Sequence, residues 1–246
     1  GLFAAPGIVH LVKGAKSLAA DQPTALFAEA QARRQAEHER LLRRPSGGEN
    51  PYLLHQELGV VMTKAATVVR HNHTLRAALE KVNELAQRMK HCSLSDTGNW
   101  TNQNVVFTKS LADMFPLAKA ILLGAIARDE CRGAHFKPEF AMPGLDVTDP
   151  AEKRRAAELW CDRFEANTAR WLKSTIATLA GDGEVVLSYE DIDASLIPPR
   201  PRLYGLVGAD VIEETWKQRQ AGRPGVASTG SSGPPRTSAP KPATVH

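Results

Sequence analysis

The chain has 246 residues and a mass of 26.7 kDa, enough to bury a core in one large domain or two small ones. Hydrophobic residues make up 42% and charged residues 24%, as in globular proteins, and no apolar run approaches the roughly 20 residues of a membrane-spanning helix. The net charge of +4 invites a nucleic-acid partner, but Arg223, Arg236 and Lys241 lie in a tail without acids; 28 basic and 27 acidic residues remain, and the footprint of a duplex binder is missing.

The chain opens on Gly1 and shows no signal-peptide pattern, so the sequence is expected to begin within a longer reading frame or after processing. Residues 1–44 read as helix. Pro23 sits where a first turn tolerates it, and Ala25 to Leu42 is rich in Ala, Glu, Gln and Arg. A break follows at Pro45-Ser46-Gly47-Gly48. Leu54, Leu58, Val61, Ala65, Val68 and Val69 then recur at helical steps, as do Leu75, Ala78, Leu79, Val82, Leu85, Ala86 and Met89. After a polar stretch from Ser93 to Asn102, the longest run comprises Val105, Phe107, Leu111, Met114, Ala118, Ile121, Leu122 and Ala125. Thr101 is its expected N-cap, Cys131 its expected end, and Pro116 a kink inside it. Asp149 to Leu179 reads as a further helical stretch. Only Glu184 to Tyr189, behind the turn signal Asp182-Gly183, looks extended. From Gln220 to His246, 16 of 27 residues are Pro, Gly, Ser or Thr, and this segment is expected to be disordered.

The expected fold is mainly α. It is an antiparallel helical bundle with a spectrin-repeat-like three-helix core, a small C-terminal extended segment and a disordered tail.

Chemistry-bearing motifs are few. No GxGxxG, GxxxxGK[ST], HExxH or GxSxG is present. Cys92, Cys131 and Cys161 show no CxxC spacing, which argues against a disulfide scaffold or a zinc site and fits a reducing compartment. His71 and His73 form an HxH pair without a third ligand at compelling spacing, so a polar helix end is the default reading. Cys92 follows His91, but adjacency in sequence does not make a catalytic pair. Arg33, Arg34, Arg40, Arg43 and Arg44 are interleaved with Glu29, Glu37 and Glu39 and read as a solvated helix face. The segment from Arg128 to His135 is open to two readings. It is either a helix cap, with Gly133 left-handed and His135 near the last carbonyls, or a contact site for a partner or neighbouring domain.

Arg128-Asp-Glu-Cys-Arg-Gly-Ala-His135, followed by Phe136-Lys137-Pro138-Glu139-Phe140, closely resembles the RxESRGAHYKPE stretch of succinate dehydrogenase and fumarate reductase flavoprotein subunits. Other stretches agree in order: Leu54-His-Gln-Glu-Leu-Gly59 with Met62, Val68-Val-Arg-His-Asn72, Asp96-Thr97, Trp100-Thr-Asn-Gln103, Phe107-Thr108, Trp171-Leu-Lys-Ser-Thr175, and Tyr189 through Pro198. The combined match covers roughly residues 1–204 and is most similar to the branch coupled to a di-haem cytochrome b anchor. Cys131 replaces the family's usual Ser, and 141–169 looks like an insertion where the family has a short acidic link.

The resemblance implies a parent enzyme that oxidises succinate to fumarate. That flavoprotein binds FAD covalently on an upstream Rossmann-like domain and passes electrons to an iron–sulfur subunit and quinone, in the tricarboxylic acid cycle and electron transport. The family's HGGNRLG and NSL stretches do not occur here, and Gly1-Leu-Phe-Ala-Ala-Pro6 aligns just after them. The expected organisation is a helical remnant of the flavin domain and linker at 1–49, the C-terminal helical domain at 50–204, and a tail at 205–246, disordered from about 220. No catalytic, cofactor-binding or metal residue is expected in the chain, and it is expected to bind no FAD alone. Arg128, Arg132 and His135 are expected to form a domain or partner interface. The implied partners are the iron–sulfur subunit and the membrane cytochrome b anchor, with no nucleic acid and no direct membrane insertion. The implied location is the inner face of the cell membrane, peripheral and cytoplasmic. The alternative is a stand-alone helical interaction module without redox activity.

Overall fold

Asparagine and proline set the starts of the bundle helices. Asn50 accepts from Tyr52 N at 2.9 Å and Pro51 follows it, opening α3 (Pro51–Ala66). Helix α4 (Asn72–Met89) leaves from an extended His71. Asn102 Oδ1 accepts from Val105 N at 3.1 Å and opens α5 (Gln103–Ala127). The N-cap is thus Asn102 and not Thr101. Thr101 instead takes a left-handed turn, φ 51°, which lets the Asn102 amide also reach the carbonyls of Asp96 and Gly98. The computed structural model describes residues 1–2, 4–181 and 183–221. The disorder expected from about residue 220 and the turn residue Asp182 fall wholly or largely outside them.

The three helices pack on one another. Leu54, Leu58 and Ala65 of α3, Leu75, Val82 and Leu85 of α4, and Leu111, Phe115, Ala118 and Leu122 of α5 form one buried cluster. The short link 67–71 between α3 and α4 suits the expected antiparallel bundle, while the longer stretch 90–102 joins α4 to α5. By length and composition α5 is apolar enough to cross a membrane, unlike the sequence reading. Leu111, Phe115, Ala118 and Leu122 of α5 are instead buried in the bundle core. The helix runs through Pro116 to Ala127, four residues short of Cys131. Val68 and Val69 lie beyond the end of α3, and Val68 is 67% exposed. They do not belong to the core stripe that their spacing suggests.

The Gly47-Gly48 break is a close approach as well as a turn. Glu49 N donates to His91 O at 3.0 Å and Ser93 N to Glu49 O at 3.1 Å, stitching the start of α3 to the end of α4. A Cβ on Gly48 would stand 2.3 Å from His91 O, so only glycine fits. Arg88 fastens the same corner, donating to both Glu49 and Glu57.

Ahead of the bundle lie α1 (Ala5–Gly14), which buries no residue, and α2 (Thr24–Leu42), which buries only Leu41. Leu41 meets Leu94 and Val105 in a small second cluster.

The remainder departs from the expectation of helix through Leu179. Helix α6 (Pro150–Trp171) stops at Leu172, and Lys173–Leu179 is a strand, β1, paired with β2 (Val185–Asp191). Ser174, Thr175, Ile176 and Thr178 suit an extended chain, and Gly183 at φ 86° makes the turn. Beyond Tyr204 the chain forms α7 (Ala209–Ala221), where only a tail was expected.

Two compact units result. The first holds 1–140 and 175–189; the second holds 141–174 and the chain from Glu190 onward. In the second unit α6 and α7 share a core of Leu145, Ala157, Trp160, Cys161 and Ile212. Phe164 stacks on Trp160 at 5.8 Å and meets Trp216 edge-on at 5.2 Å. Arg219 of α7 pairs with Glu158 and Asp162 of α6. The residues that read as an insertion and those that read as a tail therefore build one helical pair.

Candidate functional site

Past Ala127 the backbone turns extended at Arg128, and residues 128–137 double back on themselves. Arg132 and His135 exchange two backbone hydrogen bonds, 2.9 and 3.0 Å, around Gly133 at φ 60°. Phe136 then bridges to Val69, with Arg70 N donating to Phe136 O at 2.9 Å. This fold-back carries its charges against the α3–α4 corner.

Glu130 is the pivot. Its side chain is fully buried, which is rare for a carboxylate unless it is paired. Arg128 Nε donates to one oxygen at 2.9 Å and Arg132 Nε to the other at 2.9 Å. Arg128 also reaches Thr175 Oγ1 at 3.0 Å. Arg128 and Arg132 therefore meet through a shared carboxylate. They are not i,i+4 neighbours on a helix face, because α5 has already ended.

Lys137 is the second buried charge. Its ammonium donates to Asn72 Oδ1 at 2.8 Å, Asp129 Oδ1 at 2.9 Å and Ile126 O at 3.1 Å, using all three of its donors. Asn72 also donates to Asp129 at 3.0 Å. Arg70 holds the α3 end, donating to Ala66 O and Thr67 O.

His135 joins the two halves. Nε2 lies 2.8 Å from Arg128 O and Nδ1 lies 2.8 Å from Arg70 Nη1. A carbonyl can only accept and a guanidinium can only donate, so the imidazole is neutral with its proton on Nε2. Burial is the main cause that pushes its pKa down, and the charges of Arg70 and Lys137 add to this. His135 does reach a carbonyl at the helix end, as its position suggested, but as a neutral ring and not as a cation complementing a dipole.

A pH dependence follows. The unfolded imidazole titrates near 6.5 and the folded one lower, so the unfolded state takes up the proton first. The contribution of His135 to stability is whole above about pH 6.5 and is lost as pH falls through the folded value. Denaturation midpoints should drop between about pH 8 and pH 5. His135→Gln, which keeps a donor and an acceptor, should flatten that drop; an unchanged profile would contradict the neutral assignment.

The remaining candidates do not gather. His71 Nδ1 meets Glu139 at 2.8 Å and stacks obliquely near His73, but no group of three metal-type ligands exists among the described residues. The Cys92 thiol contacts Met89 Sδ at 3.5 Å in the core, and burial raises its pKa. Burial likewise raises that of Cys131, which donates to Lys137 O. Neither thiol is prepared as a nucleophile. The described residues contain one two-stranded sheet, and no strand–turn–helix glycine cradle of the kind that holds a dinucleotide pyrophosphate is found among them.

The cluster therefore has four cations, Arg70, Arg128, Arg132 and Lys137, around two carboxylates, with Arg132 about one-third exposed. It can lock the bundle end and present guanidinium to an acidic surface; it holds no nucleophile with a base. Arg128, Arg132 and His135, expected from the sequence as an interface, all lie in this cluster. Asp129 and Glu130 belong to the same charged segment but were not picked out as site residues, and Arg70, Asn72 and Lys137 were not expected there. Val68-Val-Arg-His-Asn72 and Phe136-Lys137 were visible only as matching stretches.

Residues 55–204 match the family model described as fumarate reductase flavoprotein C-term. The chain is 37% identical over 205 residues to the succinate dehydrogenase flavoprotein subunit of Bacillus subtilis (strain 168), covering 83% of this chain and 31% of that protein. It is 28% identical over 177 residues to the fumarate reductase flavoprotein subunit of Escherichia coli (strain K12), covering 71% of this chain and 26% of that one. Among solved structures, an E. coli quinol fumarate reductase superposes with a TM-score of 0.59 at 26% identity, covering 76% of this chain and 28% of that chain. The chain thus spans less than a third of the length of these relatives.

Proposed function

The chain belongs to the fumarate reductase flavoprotein C-terminal family, and we propose that it serves as the helical, subunit-contacting portion of a succinate dehydrogenase flavoprotein. The parent would oxidise succinate to fumarate and pass electrons through FAD to an iron–sulfur subunit and quinone. The complex would sit on the inner face of the cell membrane through a cytochrome b anchor. In this reading residues 1–49 close the flavin domain, residues 50–204 are the C-terminal helical domain, and the chain beyond is an extension.

One observation carries the structural role: the buried Glu130 carboxylate clamped by Arg128 and Arg132. Buried ion pairs of this kind fix an arrangement and leave no group poised for proton or hydride transfer. Arg128, Arg132 and His135 in this reading order the end of the bundle, and Arg132 offers its outer edge to the rest of the flavoprotein or to the iron–sulfur partner. The chain alone should bind no flavin and turn over no succinate. Purified protein mixed with FAD, succinate and an artificial electron acceptor tests this. The expected result is no turnover; a stoichiometric yellow complex that reduces the acceptor would overturn it.

A further inference from the structure

A cleft of about 250 Å³ opens between α2 and α5, at a distance in sequence from the charge cluster. Arg34, Arg40 and Arg44 line it from α2 and the turn after it, and Thr108 and Lys109 from α5; Glu37 and Asp113 are its acids. The volume corresponds to several waters at ~30 Å³ each. It is an unusual seam, because α2 buries only Leu41 and has little apolar surface with which to hold α5.

Two features point to a ligand. The first is Thr108. It is 1% exposed, yet among the described residues its hydroxyl has no hydrogen-bond partner. A helical threonine ordinarily bonds back to the carbonyl one turn earlier, and a buried polar group left unpaired is costly and rare. The second is the charge. Arg34 is held by Glu37 at 3.0 Å, and Arg44 is fixed over the cleft by Nη1 donating to Met89 O and Cys92 O at 3.2 and 3.1 Å. Among the described residues no ion pair is recorded for Arg40 or Lys109. The cleft thus has a surplus of cations over a covered hydroxyl donor.

We propose that this cleft binds a small multivalent oxyanion of the phosphate class, either free or as the phosphate group of a metabolite. Arg40, Arg44 and Lys109 would supply charge-assisted hydrogen bonds, and the Thr108 hydroxyl, on a residue that lines the cleft, would donate to the ion. Such an ion would tie α2 to the bundle beside the single small apolar contact that Leu41 makes with Leu94 and Val105. The proposal does not depend on the function proposed above.

Titration calorimetry on the purified 246-residue chain tests it, using inorganic phosphate and, separately, glycerol 3-phosphate, with ionic strength held constant by chloride. Saturable one-site binding of either is expected. Tighter binding of the ester would identify a metabolite as the source, and tighter binding of phosphate the free ion. Arg40→Gln and Lys109→Gln, both surface changes, should each weaken binding about tenfold. Thr108→Val should weaken it too while leaving the ligand-free melting temperature no lower, because the hydroxyl it removes has no partner to lose. Heats no greater than those of chloride, or undiminished binding in both charge variants, would overturn the proposal.

Discussion

Lys137→Ala is expected to lower the stability of the chain by about 3–5 kcal/mol in chemical denaturation. The ammonium is fully buried, and Asp129, the Asn72 amide oxygen and the Ile126 carbonyl all point to it. Removing one member of a buried charged set leaves the others desolvated and under-bonded, which costs more than the lost attraction alone. Lys137→Met separates the two contributions, since it keeps the stem and deletes the charge. Most of the loss should remain. A cost under about 1 kcal/mol for the Met variant would mean that the stem, and not the ammonium, holds the corner.

Leu122→Ala is the second large effect, at about 2–5 kcal/mol. The side chain is 0% exposed in the main core cluster, so truncation opens a cavity between packed helices. Val68→Ala is the internal control. At 67% exposure, beyond the end of α3, it should stay within about 0.5 kcal/mol of the wild type. Equal denaturation shifts for the two variants would mean that the buried faces are misassigned.

The contrast between these two residues shows what the sequence can carry. Periodicity found α3, α4 and α5 because a packed helix must repeat its apolar positions at 3.6 residues. In α5 it picked Met114 and Ile121, which are 38% and 50% exposed, and passed over Phe115, which is 4% exposed. Neighbouring apolar residues on so hydrophobic a helix do not reveal which of them faces the core. Val68 continued the spacing past the end of α3, where Val69 bridges to Phe136 instead of extending the helix. The strand at Lys173–Leu179 was hidden because the helical pattern of α6 runs straight into it without a proline or glycine.

The site was half legible for a related reason. Arg128, Arg132 and His135 stood out as charge at the end of an apolar run. Glu130 and Lys137 belong to residue types that are solvated by default. Glu130 is paired by Arg128 and Arg132, each two residues away but aimed at it only by the folded-back chain, whereas Lys137 also draws on Asn72, far away in the chain. Lys137 and Asn72 are 65 residues apart, and no local pattern links them. The pairing of segments 141–174 and 190–221 into one helical unit is likewise a long-range fact, invisible in either segment alone.

The most direct test of the structural role is Arg132→Ala in a complete flavoprotein that contains this domain, expressed with its iron–sulfur and membrane partners. Arg132 grips the buried Glu130 with Nε and keeps an exposed edge. Its loss should lower the fraction of assembled complex, or the melting temperature of the domain. The KM for succinate of the complex that does assemble should stay within about twofold of the wild type, because the change removes no binding group for substrate. Normal assembly with a large fall in turnover would contradict the account and move Arg132 into the active site.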